Sequence, residues 1–228
     1  MKLRMKPHEY LGKLITFCGL DGCGKSTMIK MTADYFKNNA EFMQTKQPTN
    51  TVRKSAIFRT FMDTPNHDDY EYRSLSLFAA SDRIQHSNKI IVPALQDGKI
   101  VLSDRYFYSC LANLQARGYE NDTWIYEVSS FVPCPDIAFF FDVDVETAIK
   151  RIHNRTEEKD KYIDVVLQHK LKVQYLKIAK ENNCVIIPSD GEPESTFEMV
   201  KKVLNSTIFN TYHSIETETT SNGELHYV

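Results

Sequence analysis

The chain has 228 residues, of which 42% are hydrophobic and 25% are charged, and its formal net charge is −2. This composition is typical of a globular protein and gives no basic field that would attract a nucleic acid polymer. No apolar run reaches the roughly 18 residues that a membrane-spanning helix needs, so we expect no membrane partner. The five cysteines are an odd number without metal-like pairing, which predicts reduced thiols and a cytoplasmic location.

Short apolar runs separated by helical patterns predict that strands and helices alternate along the chain. The predicted strands cover residues 14–18, 42–46, 100–103, 135–143 and 184–188. The predicted helices cover residues 26–38, 52–62, 73–96, 107–117, 122–131, 148–153, 162–182 and 194–204. Pro93 falls inside the third helix, where we expect it to kink the helix or end it early. Residues 211–228 are too polar to pack and are predicted to form a disordered tail.

This alternation favours an α/β fold in which a parallel sheet of about five strands carries helices on both faces. The first predicted strand leads into the sequence ITFCGLDGCGKST, residues 15–27. Its Gly19-x-x-x-x-Gly24-Lys25-Ser26 pattern matches a P-loop, so the fold is predicted to be of the P-loop NTPase type.

The loop predicts a nucleoside triphosphate bound with Mg²⁺. Backbone N–H groups of such a loop bind phosphate oxygens, the side chain of Lys25 reaches the β- and γ-phosphates, and the Ser26 hydroxyl coordinates the metal. The spacing of Gly19, Gly22 and Gly24 does not fit the G-x-G-x-x-G pattern of dinucleotide-binding loops. The loop alone does not distinguish a kinase from a nucleotide switch or motor.

A second motif, Asp104-Arg105-Tyr106, follows the third predicted strand. A carboxylate at this point can organise Mg²⁺, whereas the adjacent guanidinium can bind a second phosphate bidentately. A motor ATPase usually carries Asp-Glu here. The Asp-Arg pair therefore favours phosphoryl transfer between two bound phosphates.

These segments together resemble the thymidylate kinase family of nucleoside monophosphate kinases. The resemblance rests on the loop with its internal Asp21, on Asp104-Arg105-Tyr106, on LFAASDRIQH at 77–86, and on PDIAFFFDVDVETAIKRI at 135–152. It implies ATP- and Mg²⁺-dependent phosphorylation of dTMP to dTDP. It also implies one kinase domain over residues 1–210, a lid at about 153–162, and assembly into a homodimer.

The resemblance further implies a role for particular residues of this chain. The implied catalytic residues are Lys25, Asp104, Arg105, Arg155 and Lys161. The implied ATP-binding residues are Gly19, Asp21, Gly22, Cys23, Gly24, Lys25, Ser26, Thr27 and Arg151. The implied dTMP-binding residues are Asp21, Arg59, Phe78, Arg83, Arg105, Tyr106, Asn113 and Gln115. The implied metal ligands are Ser26 and Asp104.

The lid prediction depends on one position of the phosphate loop. Family members supply positive charge to the phosphates either from an arginine in the loop or from a mobile lid. Here the loop position is Gly22, so the lid must supply the charge, and Arg155 and Lys161 are the candidates.

Three departures from the family pattern surround the expected acceptor site. Lys46-Gln47-Pro48 stands where the family has Arg-Glu-Pro, and Phe78 and Arg83 are five residues apart instead of four. The segment after Tyr106 has Asn113 near the expected base-reading amide, and Gln115 is displaced by one place. These departures leave two alternatives to dTMP kinase open. One is a kinase for another nucleoside monophosphate or small metabolite, and the other is a P-loop ATPase or nucleotide-binding module.

Overall fold

The structure is a computed structural model that describes residues 1–38, 40–156 and 162–209. Five strands form one sheet in the order β2-β3-β1-β4-β5, and every strand pair is parallel. Their bounds are β1 Lys13–Gly19, β2 Phe42–Lys46, β3 Ile100–Asp104, β4 Ile137–Asp142 and β5 Val185–Pro188. The predicted fold class is therefore confirmed.

The helices of the described residues lie between the strands, as the alternating pattern predicts. The first five are α1 Lys25–Phe36, α2 Asn50–Arg53, α3 Ala56–Asp63, α4 Tyr72–His86 and α5 Val92–Gln96. The others are α6 Phe107–Ala116, α7 Trp124–Ser129, α8 Val145–His153, α9 Val165–Glu181 and α10 Pro193–Leu204. Among the described residues, no helix is both long enough and apolar enough to cross a membrane.

Helices cover both faces of the sheet because its central strands are apolar on both sides. Every residue of β3 is buried, as are six of the seven residues of β1. Since neighbouring residues of a strand point to opposite faces, this burial requires a helical layer on each side. Helices α1 and α10 pack against each other and against the sheet, and α6 and α9 form another such pair.

Aromatic residues of β1 and β4 fill the core between sheet and helices. The ring centroids of Phe17 and Phe139 are 5.7 Å apart, and those of Phe17 and Phe141 are 6.1 Å apart. Phe140, between them in sequence, instead meets Tyr175 of α9 with a centroid separation of 5.9 Å. Because successive β4 side chains point to opposite faces of the sheet, β4 packs against both helical layers.

Two helix predictions differ from the observed elements. The predicted helix over 52–62 is divided into α2 and α3, because the Ser55 hydroxyl accepts a hydrogen bond from Phe58 N and starts a new helix. The long predicted helix continues past Pro93, but through a π-helical turn over Ser87–Ile91. Pro93 then lies in the first turn of α5, where its missing N–H is best tolerated.

The parallel register brings three strand ends to one edge of the sheet. Phe17 of β1 pairs with Asp104 of β3, and Gly19 pairs with Phe141 of β4. The phosphate loop and the Asp104-Arg105 motif therefore emerge side by side. In α/β sheets, ligands bind at this carboxyl edge of the strands.

The extent of the domain stays a prediction. The core includes residues from Leu3 to Ile208, which fits a single domain over most of the chain. The predicted tail, residues 211–228, lies outside the described residues, as do residues 157–161 of the predicted lid.

Candidate active site

A cavity of about 310 Å³ opens at the carboxyl edge of the sheet. We call the part formed by residues 19–27 the donor end. The acceptor end is the part lined by Arg53, Phe58, Phe61, Tyr72, Ser76, Arg83, Asn113 and Arg117. Asp104 and Arg105 line the same cavity, as do Arg155 and Asp164 from the segments on either side of the undescribed lid residues.

The donor end is a loop whose backbone turns tightly before α1. Gly22 and Gly24 have φ angles of +81° and +93°, in the left-handed region that favours glycine. Lys25, only 7% exposed, donates hydrogen bonds from Nζ to the carbonyl oxygens of Leu20 at 2.5 Å and Gly19 at 3.3 Å. The ammonium group is thus held within the loop, at the start of α1, where the helix dipole also favours an anion.

Gly22 could not carry a larger side chain in this loop. A Cβ atom built on it would lie 2.2 Å from the carbonyl oxygen of Ala148 in α8. Together with the positive φ angle, this contact excludes an arginine at position 22 without movement of the α8 backbone. The loop therefore cannot supply a cation from position 22.

Arg105 links the two ends of the cavity. Its Nη1 donates to the Gly19 carbonyl oxygen at 3.0 Å and to the Tyr175 hydroxyl at 2.8 Å, and its Nη2 donates to Asp21 Oδ1 at 2.5 Å. The backbone of Arg105 has φ +69°, a strained value for a residue other than glycine. Such strain is common at functional sites and here aims the guanidinium toward the phosphate loop.

Asp104 is buried beside three cations. Burial raises the pKa of its carboxyl, but the positive charges of Arg105, Lys25 and Lys46 together outweigh burial and hold the pKa below its ordinary value. Lys46 Nζ lies 3.1 Å from Oδ2. The other oxygen, Oδ1, is buried and has no hydrogen-bond partner among the residues that the structure describes. An ionised carboxylate with one open oxygen, in a cavity that also contains Ser26, is a donor set that suits Mg²⁺.

Two of the three arginines that line the acceptor end, Arg83 and Arg53, donate hydrogen bonds to backbone carbonyl oxygens. Arg83 is 3% exposed and donates from Nη1 to the Ala79 carbonyl oxygen at 2.9 Å. Arg53 donates from Nε to the Pro48 carbonyl oxygen at 2.8 Å, and burial, followed by the charge of Arg105, lowers its pKa. A guanidinium stays protonated despite such a shift, so Arg53 remains a cation.

Several residues that the sequence assigns to the acceptor do not line the cavity. Arg59 instead bonds Asp63, four residues later on the exposed side of α3, at 2.6 Å. Phe78 is 36% exposed and points away from the cavity. Gln115 is buried and donates to the Tyr126 hydroxyl at 3.1 Å, and the Tyr106 hydroxyl donates to Pro133 O at 2.9 Å. Asn113, by contrast, lines the acceptor end.

Two residues predicted to bind ATP are placed away from the cavity lining. The Cys23 side chain is fully buried behind the phosphate loop, with its sulfur 3.5 Å from Lys25 Nζ. Arg151 donates to the carbonyl oxygens of Ser189 at 2.7 Å and Asp190 at 3.0 Å, which follow β5. Lys161 lies outside the described residues.

Comparison with known proteins supports the family resemblance that the sequence motifs indicate. A family model described as thymidylate kinase matches residues 17–200. The chain belongs to the thymidylate kinase family.

Individual relatives match over most of their length. A "Probable thymidylate kinase" of Pyrococcus horikoshii is 39% identical over 174 residues, which cover 74% of this chain and 83% of the relative. A "Thymidylate kinase" of Desulfotalea psychrophila is 40% identical over 153 residues, which cover 66% of this chain and 74% of the relative. A "Probable thymidylate kinase" of Methanococcus maripaludis is 30% identical over 204 residues, covering 87% and 96% of the two chains.

For a member of the thymidylate kinase family, the cavity also contains residues that sequence reasoning missed. Arg53, Tyr72 and Arg117 line the acceptor end, and Tyr175 bonds Arg105. Arg53 could have been found as the first arginine after the Gln47-Pro48 turn. Arg117 stands just before Gly118, where the sequence favours a helix-end charge over an acceptor contact. Tyr72 had no such signal, because its contact with Arg117 depends on how α4 packs against α6.

Proposed function

We propose that the protein transfers the γ-phosphoryl group of ATP to the phosphate of dTMP, giving ADP and dTDP. Family membership makes the chain a nucleoside monophosphate kinase, and the names of its relatives support dTMP as the acceptor. One observation carries the proposal. Arg105, a cation suited to an acceptor phosphate, hydrogen-bonds the Gly19 carbonyl oxygen of the phosphate loop, so both phosphate sites share one cavity.

The donor end would bind ATP through the backbone of the phosphate loop. Gly19, Gly22 and Gly24 allow the N–H groups to approach the phosphates closely, and Ser26 and Thr27 follow at the start of α1. Lys25 would exchange its bonds to the Gly19 and Leu20 carbonyls for phosphate oxygens. Transfer of the phosphoryl group needs mainly positioning and charge neutralisation, which these groups supply.

A Mg²⁺ ion fits the residues at this point. The open Oδ1 of Asp104 and the hydroxyl of Ser26 are hard oxygen donors in one cavity. When bound with the nucleotide, the ion neutralises phosphate charge and aligns the transferring group. Lys46 would hold the Asp104 carboxylate in place through its 3.1 Å contact with Oδ2.

The acceptor phosphate would be bound by arginines. Arg105 stays fixed by Gly19, Asp21 and Tyr175, and Arg53 offers a second cation across the acceptor end. Two guanidinium groups bind a phosphate with directional hydrogen bonds and so orient it for in-line attack. Asp21 would keep the Arg105 guanidinium facing the loop.

The lid would supply the remaining charge and exclude water. Arg155 lines the cavity at the end of the segment after α8, and Lys161 is the second candidate. A closed lid would prevent water from taking the phosphoryl group. Lys161→Ala should lower kcat more than ATP affinity, whereas equal losses in both would point to simple nucleotide binding.

A coupled assay of ADP release with a panel of nucleoside monophosphates tests the proposal. We expect ATP consumption only when an acceptor is present, with dTMP giving the largest kcat/KM. ATP consumption without an acceptor would indicate an ATPase. ADP release with another monophosphate but not with dTMP would contradict dTMP as the acceptor and would still support a kinase.

We also propose a homodimer and a cytoplasmic location. Leu77, Phe78 and Ile90 are large apolar side chains that are 36–47% exposed along the helix of α4 and its π-helical extension, as a helix-packed dimer interface would require. Light scattering on the purified protein tests the assembly. The cysteines of the described chain are all free, which fits a reducing compartment, and fractionation of cells tests the location.

A further inference from the structure

The turn that follows β2 is attached to α4 by a buried glutamine. Gln47 is fully buried, and its Nε2 donates hydrogen bonds to His86 Nδ1 and Ser87 Oγ, both at 3.1 Å. The Arg83 carbonyl oxygen lies 3.5 Å from the same nitrogen. The other amide atom, Oε1, is buried and has no hydrogen-bond partner among the described residues. The contacts of this side chain therefore go to α4 and to the π-helical turn that follows α4.

These contacts determine which nitrogen of His86 carries the proton. Because the Arg83 carbonyl oxygen can only accept, it requires the nitrogen of the Gln47 amide on its side. That nitrogen can only donate, so His86 Nδ1 accepts and carries no proton. The proton of the neutral ring is then on Nε2, which lies 2.7 Å from Thr45 Oγ1. His86 thus connects β2 and Gln47 as a neutral imidazole.

A proton on His86 Nδ1 would leave the Gln47 amide without a suitable orientation. The new N–H group would face the N–H groups of the amide, donor to donor. Reversal of the amide would turn Oε1 toward the ring, but also toward the Arg83 carbonyl oxygen, acceptor to acceptor. Since buried polar groups are costly to leave unsatisfied, protonation of His86 would displace the Gln47 side chain from α4.

A carboxylate of α4 forms the second attachment of the same turn. Asp82, one helical turn before His86, accepts hydrogen bonds from Thr49 N at 2.7 Å and from Thr49 Oγ1 at 2.5 Å. The charge of Asp82 also favours a protonated His86. An imidazolium would therefore compete with Thr49 for the carboxylate, and both attachments of residues 47–49 would weaken together.

The turn in its present position sets the orientation of Arg53. The Pro48 carbonyl oxygen accepts a hydrogen bond from Arg53 Nε at 2.8 Å. The Thr49 hydroxyl accepts one from Thr51 N at 3.2 Å and so caps α2, which ends at Arg53. Displacement of residues 47–49 would move Arg53, which lines the acceptor end, without touching residues 19–27 of the donor end.

Two charged groups of the described residues act on His86, and both belong to α4. Burial lowers the pKa of His86, the Asp82 carboxylate opposes this effect, and the Arg83 guanidinium adds to it. From β2 and the turn, the ring meets Thr45 and Gln47, which do not titrate. The ring is therefore neutral at neutral pH and gains a proton only as the pH falls below the ordinary histidine value of about 6.5.

We propose that His86 and Gln47 are positioning residues for Arg53, which they hold toward the acceptor phosphate only while His86 is neutral. Neither side chain lines the cavity, so both act through the turn at residues 47–49. The inference rests on the proposed function, in which Arg53 is the second cation of the acceptor site. It predicts that acid weakens acceptor binding and leaves ATP binding unchanged.

The test measures the KM for dTMP at saturating ATP in the full-length wild type and in His86→Gln. Glutamine has a similar reach, keeps a donor and an acceptor, and does not titrate. The phosphate of dTMP itself gains a proton near about pH 6, but this affects both proteins equally and cancels in the ratio of their KM values. We expect that ratio, wild type over variant, to rise about fivefold as the pH falls from about 7.5 to about 5. The KM for ATP and kcat should keep the same pH dependence in both proteins.

His169→Gln is the matched control, because His169 is exposed on α9 and does not line the cavity. It should keep the pH dependence of the wild type. Arg53→Ala tests the route, and it replaces His86→Gln if that variant does not fold. Its KM for dTMP should be higher at every pH, but the acid-dependent rise that the phosphate alone does not explain should disappear.

A constant ratio between wild type and folded His86→Gln would overturn the inference and leave the kinase assignment intact. Persistence of the full acid-dependent rise in Arg53→Ala would overturn it as well, since the pair would then not act through Arg53. An equal rise in the KM for ATP would indicate general unfolding and would also contradict the inference. Wild-type protein without dTMP activity at neutral pH would instead overturn the proposed function itself.

Discussion

The two ends of the cavity are built in different ways. The donor end comes from one continuous segment, residues 19–27, and consists largely of backbone groups and one lysine. The acceptor end is assembled from side chains of α2, α3, α4 and α6. Binding of a triphosphate is therefore a local property of this chain, whereas choice of the acceptor is a property of tertiary packing.

This difference decides how each end responds to sequence change. One residue inserted in α4 rotates the following side chains by about 100° relative to those before it. The cavity accordingly contains Tyr72, Ser76, Ala79 and Arg83 from this helix but not Phe78. A comparable insertion in the phosphate loop would destroy the donor end outright.

The largest effect should come from the donor end. Lys25→Ala removes the buried ammonium group that we propose binds the β- and γ-phosphates, and we expect kcat to fall by about 10³-fold or more. Steady-state kinetics with dTMP measures the loss, and a melting curve verifies that the variant is folded. Turnover close to that of the wild type would refute the role of Lys25.

Asp104 lies between the donor end and the acceptor end of the cavity. Its neutral variant should therefore weaken the positioning of both the donor and the acceptor phosphate. Asp104→Asn should lower kcat by about a hundredfold, through loss of a charged oxygen donor.

Because the folded-state pKa of Asp104 is below the unfolded value, the carboxylate stabilises the fold above the unfolded pKa, and this stabilisation disappears as pH falls through the folded pKa. The difference in melting temperature between wild type and variant should therefore shrink below about pH 4. A constant difference across that range would contradict the ionised state.

Arg53 of α2 and Arg59 of α3 allow a direct comparison of an arginine that lines the acceptor end with one that does not. Arg53→Ala should raise the KM for dTMP about tenfold, because Arg53 lines the cavity. Arg59→Ala should change it less than about twofold, since Arg59 pairs with Asp63 on the exposed side of α3. Initial rates over a range of dTMP concentrations distinguish the two. The reverse order would restore the sequence-based assignment of Arg59.

The smallest kinetic effect should come from Phe78. Phe78→Ala should change kcat/KM for dTMP by less than about twofold, because the ring lies outside the cavity. Light scattering on the same variant would report any weakening of the proposed dimer. A tenfold loss of kcat/KM without a change in assembly would show that Phe78 contacts the acceptor after all.

Much of the fold follows from sequence because the signals are local. The apolar runs predict all five strands to within a few residues, and the P-loop pattern predicts the donor end. The break between α2 and α3 was missed, although a serine cap at Ser55 is its cause. The helix predicted over 73–96 does end at Gln96, but its π-helical turn before Pro93 was missed, because such a turn has no simple sequence pattern.

The acceptor end was predicted only in part. Arg83, Arg105 and Asn113 line the cavity as expected, since each lies on the inward face of its helix or strand end. Phe78 was chosen by similarity to a family pattern whose spacing to the arginine this chain does not keep, and Arg59 pairs with Asp63 instead of lining the cavity. The contact between Tyr72 and Arg117 joins residues 45 positions apart in the numbering, on α4 and just past the end of α6, and only their packing reveals it.

The close approach of Gly22 to Ala148 has a consequence for how such enzymes diverge. A lineage with this backbone cannot place an arginine in the phosphate loop by replacing Gly22 alone, because the Ala148 carbonyl oxygen occupies the space. The α8 backbone would have to retreat first, through changes that bring no catalytic gain of their own. The order of substitutions is thus constrained by a single backbone contact between the phosphate loop and α8.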